Sequence, residues 1–142
     1  MGVVDGFGVR LPRKEDKRFI TGKGRYTDDM SLPRMGYVAF VRSPYAHAKV
    51  MNIDVSEAQA MPGVDAVLTG AELVADGVGN LICGWMIHSK DGTPMKMGAW
   101  SALATDTVRF VDQSVAMVVA DTYAQARDAA EAVMVDWENS PP

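Results

Sequence analysis

A chain of 142 residues with 48% apolar side chains is long enough for one domain with a real core and has the make-up of an ordinary globular protein. Its net charge of −4, from 14 basic and 18 acidic residues, argues against nucleic acid as a partner, because neutralising phosphates needs clustered cations. Its single cysteine, Cys83, excludes an intrachain disulfide and any zinc or iron–sulfur site built on several thiolates of this chain.

Other bounds follow from pattern. No apolar run is long enough to span a bilayer, so no membrane partner is expected. The start, Met1-Gly2-Val3-Val4-Asp5-Gly6, lacks the basic and apolar stretches of a signal peptide. With the lone thiol, this points to the cytoplasm. Charge is uneven: residues 1–35 carry eight Lys/Arg against five Asp/Glu, and residues 121–142 carry one Arg against five Asp/Glu. The basic start reads as a solvated arm of mixed charge, or as a strip that meets an acidic partner surface.

In chain order, residues 1–35 form an extended N-terminal arm in which Lys14 to Ile20 makes one or two helical turns and Gly22 and Gly24 break regular structure. Gly36 to Arg42 alternates as a strand and stops at Ser43-Pro44. His47 to Ile53 is a second strand. Asp54 or Ser56 then caps a short helix through Met61, which Pro62-Gly63 ends. Val64 to Thr69 is a further strand. Residues from about 74 to 104 hold no sustained period and are punctuated by Gly77, Gly79, Gly84, Gly92, Pro94 and Gly98, as in a functional or interface loop. Val115 to Ala120 is continuously apolar, the pattern of a strand buried on both faces. Asp121 or Thr122 caps a helix to about Ala132, with Tyr123, Ala126, Ala130 and Val133 on its apolar stripe. Val133, Val135 and Trp137 then alternate with Met134, Asp136 and Glu138. Two strand–helix–strand signals predict an α+β fold with a mixed sheet and two main helices, near 55–61 and 122–132. Pro141-Pro142 reads as the start of a linker.

The residues that could carry chemistry do not assemble into a site. Thr21-Gly22-Lys23-Gly24-Arg25-Tyr26 meets neither the phosphate-loop nor the dinucleotide spacing, and a tight turn with positive φ at a glycine explains it better. His47 and His88 are 41 positions apart, and a Cys83–His88 pair lacks a third ligand. His47 is expected to be a hydrogen-bonded structural residue. Ser43, His47 and Asp54 lie on one extended segment, which keeps a triad from converging. Asp28-Asp29 reads as turn and capping groups. No catalytic, cofactor-binding or metal residue is assigned. Trp85, Met86, Met95, Met97 and Trp100 crowd the aperiodic zone, and with so many glycines the segment 81–101 reads as a docking surface.

Five segments carry a family resemblance: the start Gly8-Val9-Arg10 through Arg13-Lys14-Glu15-Asp16; Phe19 to Asp29; Phe40-Val41-Arg42-Ser43-Pro44-Tyr45-Ala46-His47-Ala48; Asp54 to Gly70; and Val115 to Thr122 with the helix and Val133–Glu138 strand after it. In this order they resemble the N-terminal α/β hammerhead domain of molybdenum hydroxylase large subunits, the xanthine dehydrogenase, aldehyde oxidase and carbon monoxide dehydrogenase family, nearest to the last. The family's Gly-Glu-Pro before the last apolar strand is replaced by Asp112-Gln113-Ser114, so a glycine turn and a carboxylate are lost there.

The resemblance implies one hammerhead domain over 1–142, a component of an oxidoreductase and inactive alone. The parent would hydroxylate a carbon centre or oxidise carbon monoxide, with water as oxygen source. The molybdopterin cofactor would sit on later domains, and iron–sulfur clusters and FAD on partner domains or subunits. This domain would pack against the molybdopterin-binding domain, alongside iron–sulfur and flavin subunits. Taken alone, it would leave that face open to self-association. The competing reading is a stand-alone interaction module that reuses the hammerhead fold.

Overall fold

A computed structural model describes residues 12–82 and 84–139. Gly8, Val9 and Arg10 of the resemblance, Cys83 and the Pro141-Pro142 linker lie outside them. The chain divides into two compact units, one ending at Pro33 and one beginning at Arg34.

In the first unit, α1 (Asp16–Ile20) is closed by Lys23 N–H donating to Arg18 C=O at 2.9 Å and Gly22 N–H donating to Phe19 C=O at 3.1 Å. This pair of bonds is a Schellman cap, and Gly22 takes the left-handed φ of +68° that it requires. A 3-10 turn follows at Thr27–Asp29, where the Asp29 carboxylate accepts the Tyr26 N–H at 2.9 Å.

Among the described residues, the second unit holds six strands and three helices. These are β1 (Tyr37–Arg42), β2 (Ala48–Asp54), α2 (Ser56–Ala60), β3 (Val64–Thr69), α3 (Gly70–Ala75), β4 (Thr107–Val108), β5 (Ser114–Ala120), α4 (Tyr123–Ala132) and β6 (Met134–Asn139). The strands form two three-stranded sheets, ordered β1-β5-β3 and β4-β2-β6, and every pairing is antiparallel. The α+β class stands, but the single mixed sheet is corrected to two antiparallel sheets. Both strand–helix–strand runs cross from one sheet to the other: β2-α2-β3 leaves the second sheet for the first, and β5-α4-β6 makes the return. The link through α2 is shorter than the dozen or so residues that a parallel crossover needs, so β3 cannot return beside β2.

α4 lies across β1 and β5, while α2 packs on α4 and β3. The alanines of α4 favour a helix and let it approach closely: Ala126 and Ala129 are buried against Ala116, Val118 and Ala120 of β5. The buried stripe is Ala126, Ala129, Ala130 and Val133; Tyr123, assigned to it from the sequence, is instead 57% exposed. A second cluster, Ala48, Ala104, Val108 and Val115, joins the sheets, and Val41, Ile53 and Val135 pack into both clusters. The core is thus built of small side chains. Beside Leu103, which is 2% exposed, its largest buried members are Val108, Val115 and Val118, with Ser43, whereas Phe40, Phe110, Trp85 and Trp100 lie at the surface.

β5 is corrected too. Ala116, Val118 and Ala120 face the helices, but Met117 and Val119 point to the opposite face of the sheet and are only half-buried.

Candidate functional site

The sequence candidates for chemistry have local structural roles. The Thr21–Tyr26 run is the cap of α1, and its Gly22 and Lys23 N–H groups are already bonded within the chain. Ser43 is buried, accepts the Tyr45 N–H and donates to the Tyr45 C=O, each at 3.0 Å. Asp54 accepts from the Ser56 hydroxyl at 2.6 Å and the Ser56 N–H at 3.0 Å, a local turn just before α2; the N-cap position is Val55, not Asp54 or Ser56, and it makes no side-chain capping bond. The Ser56 hydroxyl, and then its N–H, hold the Asp54 carboxyl below its ordinary value. His47 is exposed just before β2, which corrects its expected structural role. Ser43 and Asp54 each bond a neighbour on their own side of β2, so the triad geometry is absent. Asp28 and Asp29 belong to the 3-10 turn. Cys83 is outside the described residues, and His88 bridges Pro94 through its backbone.

The segment between α3 and β4 has an internal order that the sequence reading missed. Leu81 N–H donates to Trp100 C=O at 2.7 Å, Met95 N–H to Ile87 C=O at 2.9 Å, and Ser89 N–H to Thr93 C=O at 2.8 Å. These bonds run antiparallel and converge on a turn at Ser89–Gly92, closed by Gly92 N–H to Ser89 C=O at 3.0 Å. Asp91 stiffens the turn by accepting the Thr93 hydroxyl at 2.6 Å and its N–H at 3.0 Å. The same two bonds, the hydroxyl first, keep the Asp91 carboxyl below its usual value. The segment is therefore an irregular hairpin. Its apolar side chains stay outside the core: Trp85 is 79% exposed and Trp100 55%, and Leu81, Ile82, Met86, Ile87, Met95 and Met97 are exposed as well. Leu81, Ile82, Met95, Met97 and Trp100 line an open groove of about 560 Å³. The Trp100 ring meets Phe110 at 5.6 Å, which ties the base of the hairpin to the loop before β5.

That loop keeps the turn that the substitution by Asp112-Gln113-Ser114 seemed to remove. Asp112 adopts φ +68°, the left-handed conformation that a glycine would favour, and aspartate tolerates it better than most residues. Ser43 N–H donates to Gln113 C=O, Asp112 N–H donates to Ser43 C=O, and the Arg109 N–H donates to the Gln113 side chain at 2.7 Å.

Among the described residues, no three His, Cys, Asp or Glu side chains come together to hold a metal ion. What the described hairpin offers is an apolar surface for hydrophobic contact.

The fold, the capped turns and the order of segments define a hammerhead domain, and residues 21–141 match the family described as aldehyde oxidase and xanthine dehydrogenase, a/b hammerhead domain. The chain belongs to that family. It is 42% identical over 139 residues to the carbon monoxide dehydrogenase large chain of Afipia carboxidovorans, covering 97% of this chain and 16% of that one. It is 35% identical over 123 residues to the xanthine dehydrogenase molybdenum-binding subunit of Escherichia coli O157:H7, covering 86% of this chain and 16% of that subunit. Among solved structures it is similar to quinoline 2-oxidoreductase from Pseudomonas putida 86, with a TM-score of 0.82 at 40% identity, over 94% of this chain and 16% of that one. The chain therefore spans about a sixth of the length of these relatives. Among the described residues, no helix is long and apolar enough to cross a membrane.

Proposed function

We propose that this chain is the N-terminal structural domain of a molybdopterin-dependent oxidoreductase large subunit, of the carbon monoxide dehydrogenase and xanthine dehydrogenase type. It packs against the cofactor-bearing domain and is not itself catalytic. The observation that carries this reading is coverage: almost the whole chain aligns with a sixth of a carbon monoxide dehydrogenase large chain. A core mostly of Ala and Val and an exposed apolar hairpin support a scaffolding role, since larger apolar side chains left outside a small core favour a covering partner.

On this reading residues 1–142 are one hammerhead domain with an N-terminal arm and an irregular docking segment, in a cytoplasmic enzyme. The molybdopterin cofactor would supply the redox chemistry from a later domain, with iron–sulfur clusters and FAD on partner domains or subunits. This chain's residues would hold the large subunit's domains in register. The test is co-purification from the native source with metal analysis. The expected result is a molybdenum-containing polypeptide joined to or tightly bound with this chain, and no molybdenum on the chain alone. Stoichiometric molybdenum that stays with the 142-residue chain through gel filtration would overturn the reading.

A further inference from the structure

The first sheet has two faces, and the domain's helices cover one of them. β5 is its central strand, with β1 and β3 on either side. The register places Val38, Val119 and Ala66 in one cross-strand row, and Phe40, Met117 and Leu68 in the next. All six are apolar, and they alternate with Ala39, Val118 and Val67, which face the helices. Phe40 is 45% exposed and Val38 39%, while Ala66, Leu68, Met117 and Val119 are half-buried. The Arg42 guanidinium, 5.5 Å from the centre of the Phe40 ring, marks one end of the patch.

An antiparallel sheet with one solvated face normally alternates apolar and polar residues. Here β5 is apolar on both faces, and the patch continues across three strands. Such a pattern belongs to a sheet with a layer on each side. Among the described elements of the second unit no helix lies on the outer face, and this chain's relatives are about six times longer. The rows are held by the paired backbone of three strands, so the patch is preorganised.

Building on the function proposed above, we infer that the outer face of the β1-β5-β3 sheet is a docking surface. Its occupant is an apolar surface of the rest of the same large subunit. The Arg42 guanidinium donates through Nη1 to the Asp112 C=O at 3.0 Å, and its other N–H groups would suit a carboxylate or carbonyl beside that surface.

The test is thiol accessibility. Phe40→Cys and, as a second reporter at the other row, Val38→Cys are each made in a Cys83→Ser background. Maleimide labelling rates are then compared between the 142-residue chain and the complete enzyme that contains it, with circular dichroism to check the fold. Either reporter that keeps the native spectrum is sufficient. The expected result is fast labelling in the chain and labelling slowed more than tenfold in the complete enzyme, restored when the enzyme is denatured. Equal rates in both would overturn this inference and leave the proposed function standing. Slow, concentration-dependent labelling of the chain alone, with the sedimentation mass of a dimer, would make a second copy the occupant and also overturn it. Failure to find any molybdenum enzyme containing the chain would overturn the proposed function, and this inference with it.

Discussion

Asp112 shows how one residue keeps a turn that its chemistry makes costly. A left-handed backbone costs a side-chain-bearing residue roughly 1–2 kcal/mol, and glycine's greater freedom when unfolded offsets roughly 0.5–1 kcal/mol of the gain from replacing it. Asp112→Gly is therefore expected to leave stability unchanged or raise it by up to about 1 kcal/mol in urea denaturation. A clear loss would mean that the exposed carboxylate has a structural role. Gly63 is the opposite case. It sits at φ +80° after α2, and a Cβ there would collide with the Gln125 side chain. Gln125 uses that side chain to bond the Pro62 C=O at 3.2 Å and the Thr122 hydroxyl at 2.6 Å. Gly63→Ala should cost roughly 1–3 kcal/mol by the same measurement, from strain plus disturbed hydrogen bonds. Asp54 and Asp91 set a pH dependence. Their folded-state values lie below the ordinary 3.8, so their contribution is present above that pH and lost as pH falls through the lowered values. Carboxyl titration by NMR should find both midpoints below 3.8, with Ser56→Ala and Thr93→Val returning the respective neighbour toward it. Unchanged midpoints in these variants would remove the hydroxyls as the cause.

At the scale of elements, capping decides what could be read in advance. α4 was legible because Thr122 before an alanine-rich run is a strong start signal, and its hydroxyl does accept the Gln125 N–H at 3.3 Å. β1 and β6 were legible from period-two alternation, with Val135 and Trp137 inward and Met134 and Asp136 outward on β6. α3 was missed although its signal was present: Thr69-x-x-Glu72 is a capping box. Both the Thr69 N–H and hydroxyl donate to Glu72, at 2.7 and 2.9 Å. Thr69→Ala should cost about 1 kcal/mol and speed amide exchange across 70–75; unchanged exchange would show that tertiary packing alone holds the helix. The hairpin was missed because its residues alternate poorly, although Asp91-Gly92 is a common turn pair. β4 is only two residues long, too short to leave a pattern. The division into two sheets was hidden for another reason. Strand–helix–strand order is local, whereas which sheet receives the returning strand depends on long-range pairing such as Lys49 with Glu138, an exposed ion pair at 3.1 Å that contributes little energy.

For the whole molecule, the distribution of large apolar side chains separates folding from assembly. The Ala and Val core holds the two sheets together, while the hairpin's tryptophans take little part in it. A tryptophan buried in a core costs about 3–5 kcal/mol when truncated. At 79% and 55% exposure, Trp85 and Trp100 are far from that limit. Trp100 stands to lose the aromatic contact with Phe110, worth roughly 0.5–1.5 kcal/mol. Trp85→Gln with Trp100→Gln should therefore lower stability by no more than about 2 kcal/mol, a shift of several degrees in a domain of this size. Association should respond much more. Apolar surface contributes about 25 cal/mol per Å² when it is covered, so two exposed indole rings of 150–250 Å² each can carry several kcal/mol of docking energy. The double variant is expected to weaken docking to the rest of the large subunit, or self-association of the isolated chain, by at least tenfold in sedimentation velocity. A large fall in melting temperature with association unchanged would place both rings in the domain's own core and refute the hairpin as a docking element.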